Sequence, residues 1–119
     1  MAADKVADFT DREIWAVETA VRERYCRAVE VQQADVELRL DPAVPVLTVC
    51  PALVWQENGA TFVVCKVGEN RFRGQFHYSV REQYGTGREE YDDLPQCVIT
   101  LLKMQEDLEK KRSTEHIGS

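Results

Sequence analysis

The hydrophobic pattern of the chain begins with an amphipathic helix that has a clear start signal. After Thr10, apolar residues recur at every third or fourth position, which is the spacing of one helix face. Thr10 is followed three residues later by Glu13. This is the sequence of a capping box, in which each side chain accepts a hydrogen bond from the other residue's backbone amide. The pattern predicts a helix to about residue 28, with an apolar stripe of Ile14, Val17, Val21, Tyr25 and Ala28.

Four strand patterns follow this helix. From Val29 the period of the pattern changes to two. In the first strand Val36 and Leu38 alternate with Asp35 and Glu37, as expected for a strand with one face exposed. The remaining strands are predicted over residues 46–57, 60–67 and 71–80.

Two turn sequences set the register of the last three strands. Asn58-Gly59 predicts a two-residue type I′ turn, since both turn residues need positive φ. This turn places Trp55 opposite Phe62. Glu69-Asn70 predicts a second, looser hairpin turn, in which Phe62 also faces His77. One face of the predicted sheet then carries Val54, Val63, Cys65, Val67, Phe72, Gly74, Phe76, Tyr78 and Val80.

A polar connection over residues 81–93 leads to a second amphipathic helix. We predict that this helix starts near Asp93, has Pro95 in its first turn and ends near residue 112. Residues 1–8 and 113–119 have no pattern and are predicted to be disordered. Residues 9–112 are therefore predicted to form a single α+β domain, a four-stranded antiparallel meander with both helices packed on one face. We expect the helices to cover the face that carries Val54 and Val63.

The second face of the predicted sheet combines large apolar side chains with basic ones. It carries Leu53, Trp55, Phe62, Val64, Lys66, Arg71, Arg73, Gln75 and His77. An exposed sheet face is normally polar, and an apolar patch of this kind marks an interaction site. Aromatic residues and arginine dominate such sites. The alternative is that the N-terminal segment or the connection 81–93 covers Leu53 and Trp55.

Composition and charge narrow the classes of partner. The 119 residues, 44% of them hydrophobic, suit one packed domain, and the formal net charge of −6 argues against nonspecific binding to nucleic acid or anionic membranes. The apolar runs are too short to span a membrane, and the N-terminus lacks the apolar core of a signal peptide. We therefore predict a cytoplasmic protein.

The four cysteines do not show the spacing of a metal site. No pair has a C-x-x-C spacing, and no histidine lies at metal-finger spacing. We expect them to pack as small apolar side chains, with a structural metal or disulfide as the alternative. No metal ion or cofactor is predicted.

No motif in the chain identifies a catalysed reaction. The most direct interpretation is a non-catalytic accessory or chaperone-like module that binds a partner chain, or a second copy of itself, through Leu53, Trp55, Phe62, Val64, Arg71, Arg73 and His77. The alternative is a small-molecule binder or small enzyme whose pocket lies between the sheet and the connection 81–93. His77, Tyr84, Glu89 and Glu90 would supply the polar groups of that pocket.

Overall fold

The computed structural model describes residues 4–79, 81–85, 88 and 90–117 and confirms the α+β fold. Helix α1 (Asp11–Tyr25) precedes the sheet, and helix α2 (Leu94–Ile117) follows it. The strands are β1 (Asp4–Lys5), β2 (Gln32–Leu38), β3 (Thr48–Glu57), β4 (Ala60–Gly68), β5 (Arg71–His77) and β6 (Gln83–Gly85). Among these residues no helix is long and apolar enough to cross a membrane.

The predicted four-stranded meander corresponds to β2, β3, β4 and β5, which pair in that order and antiparallel. Two short strands add to it. Strand β1 pairs in parallel with the start of β3, and β6 pairs with the end of β5. Strand β1 lies within the segment predicted to be disordered, of which residues 1–3 are outside the described part. Helix α2 continues beyond residue 112, since no glycine or proline occurs between Gln96 and Ile117 to end it.

The capping box predicted for α1 is confirmed. Thr10 Oγ1 accepts a hydrogen bond from the Glu13 amide (3.1 Å), and the Thr10 amide donates to Glu13 Oε1 (2.8 Å). The helix ends at Tyr25, before the predicted end, because Cys26 adopts a left-handed conformation with φ 56°. Lys66 Nζ also donates to Glu13 Oε1 at 2.8 Å, so an ion pair ties the first turn of α1 to the sheet.

The register predicted for the first hairpin is confirmed, and that of the second is wrong. Asn58 and Gly59 have φ of 53° and 78°, as a type I′ turn requires, and Trp55 pairs with Phe62 as predicted. In the second hairpin Gly68 pairs with Arg71, but Lys66 pairs with Phe72. Val67 is therefore an extra residue, a β-bulge, in β4. The predicted register of β5 is wrong by one residue, and Phe62 faces Phe76 instead of His77.

This bulge decides which face the helices cover. It moves Phe72 and Phe76 onto the face of Trp55 and Phe62, and this core face then presents a continuous layer of large apolar side chains. Both helices pack on it, and Leu53, Trp55, Phe62 and Val64 are at most 1% exposed. The prediction that these four side chains form an exposed surface is wrong. The prediction that the helices cover the face of Val54 and Val63 is also wrong.

Aromatic rings cross the core face from β3 to β6. The ring of Phe62 lies 5.3 Å from that of Trp55 and 5.6 Å from that of Phe76, and Tyr84 lies 5.2 Å from Phe76. Gly74 lies on the same face, where a Cβ would be 3.0 Å from Cys97 Sγ of α2. The missing side chain thus allows the helix to approach the sheet, as expected from the sequence, although on the other face. Val80, which was predicted to lie beside these residues, is outside the described part.

Candidate interaction site

The face of the sheet opposite the two helices is also apolar. This open face has a buried centre of small side chains surrounded by half-buried ones that contact solvent. The centre consists of Cys50, Ala52, Cys65 and Val67, and the surrounding residues include Val36, Leu38, Val54 and Val63. A sheet face turned to water is normally polar. The open face is therefore a candidate surface for binding.

A cleft of about 200 Å³ lies on the open face. Its apolar wall comes from Val36 and Leu38 of β2 and from Val63 and Cys65 of β4. Strand β5 supplies the polar wall. That wall consists of Arg73, Gly74 and Gln75. The cleft thus presents hydrocarbon on the side of β2 and hydrogen-bonding groups on the side of β5.

The cations at the start of β5 are bound by a carboxylate of the same chain. Arg71 Nε and Nη2 donate to the two oxygens of Glu90, each at 2.8 Å, and Arg73 Nη2 donates to Glu90 Oε2 at 3.0 Å. The hydrogen bond from Arg71 lowers the pKa of Glu90, although burial opposes the shift. Arg71 and Arg73, which were predicted to attract a partner, therefore share one carboxylate of the same chain, and it offsets one of their two positive charges.

Strand β2 forms an edge of the sheet beside the cleft. Over the described residues it pairs with β3 alone. Ala34, Val36 and Leu38 point to the open face, since they pair with residues whose side chains are on that face. Asp35 and Glu37 point to the opposite side and are exposed. The strand therefore presents an apolar row, an acidic row and an unpaired backbone edge.

The connection from β2 to β3 adds exposed apolar surface near this edge. Of the five large apolar side chains that are exposed in the described part, three lie in this connection. They are Val44 (41% exposed), Val46 (48%) and Leu47 (41%). The other two, Trp15 and Ile99, lie on the helices.

The structure does not bring together the predicted alternative pocket. His77 lies on the open face opposite Gln83, whereas Tyr84 stacks on Phe76 on the core face. Glu90 is bound by Arg73, which precedes His77 along β5 by about 13 Å at the usual rise per residue of a strand. Glu89 is outside the described residues. Within the described part, His77 Nδ1 is buried and has no hydrogen-bond partner.

The cysteines pack as expected from their spacing, apart from Cys26, which is exposed. Cys50, Cys65 and Cys97 are buried, and all four are free thiols. Burial raises the pKa of Cys65 to about 11 and that of Cys97 to about 12, so both stay protonated at neutral pH. In the part of the chain that the structure describes, no group of three His, Cys, Asp or Glu residues is placed to hold a metal ion.

One ion pair, between an exposed arginine and a buried carboxylate, was not predicted from the sequence. Glu57, whose side chain is 8% exposed, pairs with Arg27 beyond the end of α1. Both residues line a polar cavity of about 440 Å³ that also reaches Trp55. Glu57 adjoins the Asn58-Gly59 turn and is the last residue of the predicted strand 46–57. The alternation of β3 was the available signal, because it places Glu57 on the same face as Trp55.

Comparisons with known proteins assign no family to this chain. No protein-family model matches it, and no curated protein or solved structure does either. Its function must therefore be inferred from the geometry of the open face and of β2.

Proposed function

We propose that the protein is a non-catalytic, cytoplasmic interaction module that binds an extended segment of polypeptide along β2 and over the open face. The observation that carries the proposal is the edge of β2 directly beside the cleft, which has no strand partner among the described residues. A peptide that adds to a sheet edge gains backbone hydrogen bonds, and alternate side chains enter pockets on one face. The buried free thiols are consistent with a reducing compartment.

The side chains of β2 indicate the chemistry of the segment. Val36 and Leu38 would contact apolar side chains of an added strand on the open face, while Asp35 and Glu37 would lie opposite its residues on the other side. Opposite charges across a strand pair are stabilising, and like charges are destabilising. The best partner is therefore an extended segment that alternates apolar and basic residues. The net charge of −6 attracts such a segment.

Strand β2 has few of the devices that protect sheet edges. Natural edges are blocked by proline, bulges, short length or charged side chains. The seven residues of β2 contain no proline, and their pairing with β3 is continuous. Asp35 and Glu37 are its only charges, and they repel acidic strands but attract basic ones. The edge thus favours basic segments over acidic ones, as expected for a strand that binds a specific partner.

The test is the binding of a labelled peptide that alternates valine with lysine or arginine, measured by fluorescence anisotropy. We expect saturable binding to the wild-type protein and loss of at least about tenfold in affinity for Val36→Lys, which places a charged side chain where apolar side chains of the peptide would pack. Trp15→Lys is the matched control, because it changes the net charge equally at a 63% exposed position of α1. It should bind almost as well as the wild type.

Two control peptides separate strand addition from simple charge attraction. A scrambled peptide keeps the composition but loses the alternation, and a peptide with proline at two central positions cannot donate the backbone hydrogen bonds. Both should bind weakly. Equal binding of the scrambled peptide, or equal affinity of Val36→Lys and Trp15→Lys, would overturn the proposal.

A further inference from the structure

In the absence of such a basic segment, we infer that β2 pairs with β2 of a second copy of this chain, whose Arg39 supplies the positive charge opposite Asp35, so that two sheets join into one across a twofold axis. This inference rests on the proposed function, because it uses the same strand edge. The axis passes between the two copies of Glu37 and is perpendicular to the sheet. The two strands then run antiparallel, and both open faces lie on the same side of the joined sheet.

The sequence of β2 and the two residues after it is self-complementary in this register. With Glu37 on the axis, Asp35 faces Arg39 of the second copy, and Val36 faces its Leu38. Ala34 faces its Leu40 in the same way. Each of these contacts occurs twice by symmetry. Two opposite-charge pairs therefore lie on one side of the joined strands, and apolar pairs lie on the other.

Other registers of the same symmetry are less favourable. Paired residues have to point to the same face, so the axis must pass between the two copies of one residue. With Val36 on the axis, Asp35 faces Glu37 twice, and with Asp35 on the axis two aspartates meet. With Leu38 on the axis Glu37 faces Arg39, but Asp35 then faces Asp41. The Glu37 register has one like-charge contact, between the two copies of Glu37, against two opposite-charge pairs.

The structure requires little change to adopt this arrangement. Strand β2 needs an extension by Arg39 and Leu40, which directly follow its last residue. Arg39 Nε donates to the exposed Val44 carbonyl oxygen at 3.0 Å, and water can replace that contact. Leu40 already packs against the apolar cluster of the open face. A seven-residue edge buries less area than the interfaces of stable dimers, so we expect a dimer in the micromolar range.

Analytical ultracentrifugation of the full chain over a series of concentrations tests the register. Asp35→Arg and Arg39→Asp should each weaken the dimer by about tenfold, because each places like charges opposite one another. The double variant Asp35→Arg/Arg39→Asp should restore affinity to within about threefold of the wild type, since the pairs are re-formed with exchanged signs. Glu37→Gln should tighten the dimer by removing the like-charge contact on the axis.

Two results would overturn this inference, and both leave the proposed function distinguishable from it. If the wild type stays monomeric while the alternating peptide still binds, β2 binds another chain and self-pairing is wrong. If a dimer forms but the double variant is no tighter than the single variants, the copies meet elsewhere. Recovery of dimer affinity in the double variant supports the inference, because it requires residues 35 and 39 of the two copies to face one another.

Discussion

The two faces of the sheet differ in the size of the side chains that they carry and in what covers them. The core face holds the aromatic rings of Trp55, Phe62 and Phe76, and two helices exclude water from it. The open face holds small side chains around Cys65, and Val63 is only half-buried. Large aromatic side chains bury far more area per residue. We therefore expect the core face to supply most of the stability of the fold, and the open face to supply less.

The largest expected effect comes from the centre of the core face. Phe62→Ala should lower the free energy of unfolding by about 3–5 kcal/mol, because it removes a fully buried ring that contacts Trp55 and Phe76. The neighbouring substitution Val63→Ala affects the open face and should cost about 1 kcal/mol. Urea unfolding of both variants measures the contrast. Equal losses would contradict the assignment of the stability to the core face.

Loss of the ion pair between Glu13 of α1 and Lys66 should give the next largest loss of stability. Burial raises the pKa of Glu13, but hydrogen bonds from Lys66 and the Thr10 amide outweigh it, so the pKa lies below its usual 4.5. Glu13→Gln leaves the Lys66 ammonium, whose side chain is 9% exposed, without its carboxylate. We expect a loss of about 2 kcal/mol in the free energy of unfolding at pH 7.

The same pair makes stability depend on pH in acid. A carboxyl whose folded pKa is lowered contributes stability above its unfolded pKa, and the contribution disappears as the pH falls through the folded pKa. The wild type should therefore lose stability below about pH 4.5. Glu13→Gln should lose less over the same range, as measured by urea midpoints from pH 7 to pH 3. Parallel curves for the two proteins would show that Glu13 has no such role.

A smaller loss of stability is expected from a substitution at Gly74, where α2 approaches the sheet. Gly74→Ala would place a Cβ 3.0 Å from Cys97 Sγ and should cost about 1–2 kcal/mol. Cys97→Ala in the same chain should recover part of this loss, because it removes the sulfur that the new methyl group meets. A double-mutant cycle in urea measures the coupling. Simple additivity would mean that the helix moves away without resistance.

The smallest effect on stability should come from the open face. Val36→Lys should change the free energy of unfolding by less than about 1 kcal/mol, because Val36 is half-buried and the lysine can extend its ammonium into water. The same substitution should remove peptide binding. Thermal unfolding measured alongside anisotropy checks both statements. A large loss of stability would show that the open face is part of the core.

The sequence predicted the first hairpin but not the register of the second. Asn58-Gly59 determines its turn locally, because few other residue pairs accept positive φ at both positions. Around Glu69-Asn70 the local sequence permits a bulged and an unbulged hairpin alike. The contacts of Phe76 with Phe62 and of Phe72 with Phe9 favour the bulge, and these are tertiary contacts that local patterns do not contain.

The candidate site was predictable only in part. The alternation of β2 was visible, but an unpaired edge depends on the order of strands in the sheet. The binding of Arg71 and Arg73 to Glu90 could not be predicted for a similar reason, since the carboxylate lies 19 and 17 residues away along the chain. Because of the bulge at Val67, the helices cover the face opposite to the predicted one. The surface that was predicted to be exposed therefore lies in the core.

The most direct test of a binding edge at β2 is amide hydrogen exchange with and without the alternating peptide. The proposed function predicts that amides of β2 exchange at least about tenfold more slowly when the peptide is bound. Amides of α1 and α2 should be unchanged, because these helices lie on the other face. The contradicting result is peptide binding without protection of β2, or protection confined to the helices.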